Sequence, residues 1–244
     1  MLMDADAAQL EWRVAAELSQ DPIMMLEIIN GIDIHSDNAK NFFGDLRFRQ
    51  DAKIFSFRLL YGGTAYAFFM DPKMPAFSQK RWNEIVEAFY TKYSGLKKWQ
   101  DDNFKLVTQT GKLQTFTGRI YSFEMKKQND GSWCYERPSV CNYPVQGTAT
   151  GDIIPLVMCQ VQRLIRNAGL SNEVLIVNQV HDSIVLDLDR KHIDQVAQIC
   201  YKCFRSIPST IKAYWNYDWT TPMDGDIKIG ENWSEMIKYK APTL

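Results

Sequence analysis

Apolar positions recur with two different periods along the chain, and the change of period divides it. Residues 1–6 of the opening "MLMDADAAQLEWR" read as a short strand, which sets Asp4 and Asp6 on one face. Residues 8–19 read as a helix with Leu10, Val14 and Leu18 on one side. Asp21-Pro22 is a cap followed by proline at the first helical position, which predicts a helix over 22–30. Ser36 is placed to cap a short helix ending at Gly44, and 46–61 predicts a long amphipathic helix stopped by Gly62-Gly63. "DPKMP" (71–75) reads as a loop, Ser78 as the cap of a helix reaching Tyr93, and Leu96 to Thr108 as a further helix.

The period then changes. "KLQTFTGRIYSFEM" (112–125) predicts a hairpin turning near Gly118, "KKQNDGSW" a polar loop, and 146–167 a long helix. "EVLIVNQV-HD-SIVLDLD" (173–189) is two apolar runs of strand composition joined by two residues. A helix over 191–205 and a strand near 224–230 follow. Helices dominate 8–110 while strands cluster at 1–6, 112–125, 173–189 and 224–230. That distribution predicts an α+β fold, an antiparallel sheet with packed helices and a helical insertion.

Composition narrows the class. A chain of 244 residues can bury a full core, and a net charge of -1 argues against a simple basic nucleic-acid glue while permitting a local basic cleft. Five scattered cysteines predict no disulfide framework and a reducing compartment. Cys200 and Cys203 have no second pair with which to hold zinc, so they are expected to pack a helix. No apolar run reaches the length of a membrane span, and no basic segment of signal-peptide type opens the chain.

The 173–189 hairpin carries the first chemical signal. His181-Asp182 replaces the Asn-Gly or Asp-Gly that such a turn prefers. Asp182 can be a turn former, or a rigidly mounted metal ligand if a second carboxylate lies on a neighbouring strand. Asp6 qualifies, and two carboxylates so placed suit a pair of magnesium ions about 4 Å apart. The 46–61 helix adds a stripe. Arg49, Lys53, Phe57 and Tyr61 follow at i+4 steps, cationic at one end and aromatic at the other. The stripe suits a nucleotide, or is an ordinary amphipathic face with snorkelling basic residues.

In combination these segments resemble the family A DNA polymerases, the bacterial polymerase I and phage type. "DAAQLEWR" (6–13) resembles the family's first motif, "RQDAKIFSFRLLYGG" (49–63) its fingers motif, and "QVHDS" (179–183) its third motif. "DIHS" (33–36), "TGRIY" (117–121), "NYPVQGTA" (142–149) and "GENW" (230–233) resemble further family segments in the family's order, across essentially the whole chain. "NYPVQG…GDIIPL" is closer to phage members than to bacterial ones. Ser183 stands where the family usually has Glu, and Ser56 and Arg58 where it usually has Asn and Gly. Arg137 lies one residue further from Asn142 than the common pattern.

The resemblance implies a palm over 1–20 and 137–244 with fingers over 21–136, and neither thumb nor exonuclease domain within these residues. It implies two-metal, template-directed addition of dNTPs to a primer 3′-hydroxyl. Asp6 and Asp182 would be catalytic and would hold two Mg2+ with the Ala7 carbonyl, Mn2+ being able to substitute. Gln9, Glu11, His35, Arg49, Lys53, Phe57 and Tyr61 would bind the dNTP, and Arg137, Asn142, Gln146 and His181 the primer-template. Asp4 is assigned to solvent or an ion pair. Because the family places a large region before the first motif, the resemblance further implies a phage split polymerase acting in the host cytoplasm. A second chain would then carry the thumb and any exonuclease. Two rival readings stand: a single-subunit RNA polymerase, against which Glu11 argues because it would block a ribose 2′-hydroxyl, and an inert DNA-binding or scaffold fragment.

Overall fold

The structure, a computed structural model, describes residues 1–128 and 130–240. The chain opens with β1 (Leu2–Ala7) and a run of helices: α1 (Leu10–Ser19), α2 (Pro22–Ile29), α3 (Ile34–Asn38), α4 (Arg49–Leu60), α5 (Ala65–Phe69), α6 (Gln79–Lys92) and α7 (Ser94–Thr110). Two small ribbons follow, β2 (Lys112–Gln114) with β3 (Ile120–Ser122), and β4 (Lys126–Lys127) with β5 (Trp133–Cys134). Then come α8 (Arg137–Gln146), α9 (Ile154–Asn167), β6 (Val174–Val180), β7 (Ser183–Leu188), α10 (Ile193–Arg205), α11 (Ile207–Trp215), β8 (Gly225–Gly230) and β9 (Ile237–Tyr239).

Most predicted elements are present, and the differences have physical causes. Asp33, not Ser36, caps α3: its carboxylate accepts from the Ser36 N–H, and the helix widens into a π-helical turn over Ala39–Phe43 before Gly44. The predicted polar loop "KKQNDGSW" contains the ribbon β4–β5; its Asn129 lies outside the described residues. The helix predicted over 146–167 starts at Arg137, keeps Pro144 inside α8, and reaches α9 through a π-helical turn over Gly147–Ile153. The sequence reading had no counterpart for α11 and β9.

The chain forms two compact units, Met1–Glu11 with Gln146–Leu244, and Trp12–Val145. The boundaries between these units fall inside α1 and at the end of α8.

In the first unit an antiparallel sheet runs β6-β7-β1-β8-β9, with β1 at its centre. Met3, Ala5 and Ala7 are fully buried on one face of β1, so Leu2, Asp4 and Asp6 share the other. α10 lies against β8 and β1, presenting Val196, Cys200, Cys203 and Phe204. Phe204 lies so close to Gly225 that an added Cβ would stand 2.4 Å from the ring. Both helix cysteines are buried free thiols, as packing predicts. β7 is buried, but β6 is a sheet edge with a bulge near Val177, leaving Leu175 54% and Val177 51% exposed. An apolar run cannot reveal whether its strand is central or marginal.

The second unit is helical and centred on aromatic rings. Phe55 packs on Phe42, Phe43, Phe68, Trp82 and Phe89, and Phe68 stacks on Trp82 at 5.1 Å. Buried Asp21 caps α2 through the Ile23 and Met24 N–H groups and accepts from the Leu96 N–H at 3.0 Å. Gly95 permits that approach, since a Cβ there would meet the Asp21 backbone at 2.8 Å. The end of α4 is closed by Gln100, whose amide donates to the Leu59 and Leu60 carbonyls, and by the Tyr90 hydroxyl.

Candidate active site

Strand register assembles the carboxylates. β1 pairs antiparallel with β7, setting Asp6 opposite Ser183, and the Ala7 N–H donates to the Asp182 carbonyl at 3.0 Å. β1 also pairs with β8, which puts Asp226 opposite Asp6 and Lys228 opposite Asp4. Asp226 is engaged by Lys238 at 2.6 Å. Burial, then the charges of Asp182 and Asp4, push the Asp6 carboxyl up to about 6, with Lys228 pulling the other way. Asp4 is not freely solvated: its Oδ1 is buried without a hydrogen-bond partner among the described residues. The strand alternation indicated its face, but not how deeply it would sit.

The turn that carries Asp182 is unusual. His181 has φ +54°, and Gln9, in the turn between β1 and α1, has φ +51°. Left-handed conformations at non-glycine residues cost on the order of 1 kcal/mol and cluster at functional sites. Both side chains are exposed, as is Gln146, while Glu11 is half-buried; all four belong to the unit that holds Asp6 and Asp182.

The helical unit holds the other set. Arg49 and Lys53 project from α4 into solvent, followed by half-buried Phe57 and Tyr61. Arg49 forms a two-pronged contact with Asp33, Nε to Oδ2 at 3.0 Å and Nη2 to Oδ1 at 3.2 Å. That guanidinium holds the Asp33 carboxyl down to about 2. The His35 ring is 8% exposed and lies 5.9 Å from Phe57. Its Nδ1 is buried without a hydrogen-bond partner among the described residues. Burial, then Lys53 and Arg49, lower its pKa, so the imidazole is neutral near pH 7. His35, Arg49, Lys53 and Phe57 therefore form one cluster. Arg137 is bonded to Asp101 and lies over the Phe104 ring at 5.4 Å, and Asn142 is half-buried on the same helix, α8.

Asp33 and Asp226 were not singled out as partners by the sequence reading. Asp33 stood within the quoted "DIHS", but its bond to Arg49 spans 16 positions. Asp226 becomes visible only once the β1–β8 register is known. Ser56, the departure in the fingers motif, accepts from the buried Asn38 amide at 3.0 Å and donates to the Ala52 carbonyl. Among the described residues no group of three or more His, Cys, Asp or Glu forms a ready metal cage, and no helix is long and apolar enough to cross a membrane.

Comparison with known proteins bears on this arrangement. The DNA polymerase I of Caldicellulosiruptor bescii is 28% identical over 96% of this chain and 27% of its own length. That of Chloroflexus aurantiacus is 26% identical over 95% and 24%. The chain thus spans about a quarter of these relatives. The POL domain of Pol1 from M. smegmatis, solved in complex with DNA primer-template and dNTP, superposes with a TM-score of 0.78 at 24% identity. That match covers 95% of this chain and 40% of the mycobacterial one. With the DNA polymerase family A profile matching residues 1–235, the chain belongs to DNA polymerase family A.

Proposed function

We propose that the chain supplies the palm (near 1–20 and 137–244) and fingers (near 21–136) of a DNA-directed DNA polymerase that adds dNTPs to a primer 3′-hydroxyl. The observation that carries the reading is the β1–β7 pairing, which brings Asp6 at the end of β1 beside Asp182 in the turn that leads into β7. The all-oxygen donor set, the crowding that raises the Asp6 pKa and the orphaned Oδ1 of Asp4 suit a hard divalent cation. Asp6, Asp182 and the Ala7 carbonyl would hold two Mg2+, or Mn2+. When bound, these ions activate the attacking hydroxyl and neutralise charge on the phosphates.

The remaining residues bind and orient. Arg49 exchanges the Asp33 carboxylate for triphosphate oxygens, Lys53 adds a second cation, and neutral His35 offers a hydrogen bond. Phe57 and Tyr61 form the wall for sugar and base, and Glu11 excludes a 2′-hydroxyl. Gln9 lies on the dNTP side, and Arg137, Asn142, Gln146 and His181 engage the primer-template; the left-handed backbone at Gln9 and His181 supports a functional role for both. The open edge of β6, with Leu175 and Val177 exposed, supports a second chain that covers it and carries the thumb and any exonuclease. The phage-like wording of 142–156 supports a phage polymerase acting in the host cytoplasm.

Primer extension with dNTPs and with NTPs, alone and with an upstream-encoded polymerase fragment, tests the reading. Extension that requires dNTPs and is prolonged by the second fragment is the expected result. Equal use of NTPs would favour an RNA polymerase, and no extension in any combination would favour an inert fragment.

A further inference from the structure

An exposed aromatic surface of the helical unit has no part in the reading above. Tyr143, beside Asn142 on α8, is 45% exposed. Its ring lies nearly parallel to Phe123, with centroids 5.6 Å apart and planes 22° apart, and Tyr121 leans against it at 5.8 Å. Phe123 in turn packs on the buried cluster of Val107, Leu113 and Val140. Tyr143 is therefore held from beneath while much of it faces solvent. Covering Phe123 needs only apolar area, which an aliphatic side chain would supply.

Charge points the same way. Residues 112–143 carry five basic and three acidic side chains, on a chain whose net charge is -1. Lys126 pairs with Glu136 at 2.6 Å yet stays 62% exposed, and lies within electrostatic range of the Tyr143 hydroxyl. A supported aromatic face beside the exposed Lys126 side chain matches a nucleobase and its phosphate. Bases inside a duplex already use both faces for stacking, so the fitting ligand is an unpaired strand.

We infer that Tyr143, seated on Phe123, is a stacking platform for an unpaired base of single-stranded DNA. It is a positioning residue that holds strand outside the paired region, and the inference rests on the reading of the chain as a DNA polymerase portion. The test uses the full chain and fluorescence anisotropy with a blunt duplex and the same duplex carrying a template overhang. A second readout places 2-aminopurine in the overhang.

The wild type should bind the overhang substrate more tightly than the blunt one and quench 2-aminopurine. Tyr143→Phe should preserve both effects. Tyr143→Leu, which still covers Phe123, should lose about tenfold of the overhang preference and the quench. Wild-type protein that binds neither DNA overturns the polymerase reading and the platform with it. Wild-type binding without overhang preference or without quench overturns the platform alone, as does a Tyr143→Leu protein that retains both. Should the leucine variant not fold, Tyr143→Met, which also covers Phe123 without a ring, makes the same comparison, and retention of both effects there overturns the platform.

Discussion

Asp6 and Asp33 are both aspartates beside expected substrate-binding machinery, and their surroundings are opposite. Asp33 lies at a helix N-terminus, accepts from a backbone N–H and is gripped by Arg49, so its carboxyl is pulled down to about 2. Asp6 lies mid-sheet, partly buried and flanked by Asp182, Asp4 and Asp226, so its carboxyl is pushed up to about 6. The buried acid Glu27 resembles Asp33: Lys92 reaches it at 2.6 Å and the Tyr93 hydroxyl donates to it at 3.0 Å. Acids that serve the fold are paired within it, whereas Asp6 is held in like-charged company at a cost to stability that a cation would relieve.

The strongest way to break this comparison is to delete the crowded carboxylates. Asp6→Ala or Asp182→Ala should lower extension by on the order of a thousandfold, since a metal-clamp ligand supplies several kcal/mol. Single-turnover extension checks this, and near-normal turnover in either variant removes the catalytic assignment. On the paired side, Lys92→Ala should destabilise by about 3 kcal/mol, because it strands the buried Glu27 carboxylate. Urea unfolding measures that loss.

A smaller effect of opposite sign sharpens the contrast. The Asp6 pKa is raised from 3.8 to about 6, so its stabilising contribution is complete below 3.8 and lost as pH rises through about 6. Asp6→Asn should therefore stabilise the protein at pH 8 in EDTA by about 1 kcal/mol after discounting for exposure, a Tm rise of about 3 °C. Magnesium should raise the wild-type Tm and move that of the variant much less. The smallest effect belongs to Asp33, whose contribution is present above 3.8 and lost as pH falls through about 2. Arg49→Met should flatten that acid limb by at most about 0.5 kcal/mol, since both side chains are about half exposed. NMR titration of the Asp33 carboxyl gives the direct readout.

Local chemistry made much of the fold legible in advance. Asp21-Pro22 and Ser78 start helices as predicted, because capping depends on residues within one turn. The two-residue turn at His181-Asp182 and the alternation of β1 are equally local. The motif spacings likewise marked Asp6, Asp182 and the Arg49–Tyr61 stripe as candidates, and the register sets Asp6 beside the Asp182 backbone.

Other features depended on contacts between distant segments. β6 reads as apolar as β7 but is a bulged, exposed edge, since strand order follows from pairing rather than from composition. The Asp33–Arg49 and Glu27–Lys92 pairs span 16 and 65 positions, so no local pattern could announce them. The sequence by itself determined which residues carry charge, cap helices and alternate along strands, because those properties act over one or two turns of chain. Tertiary structure alone decided which of those charges find partners. The register of β1 against β7 and β8 leaves Asp6 among carboxylates, while packing of α3 against α4 delivers Arg49 to Asp33.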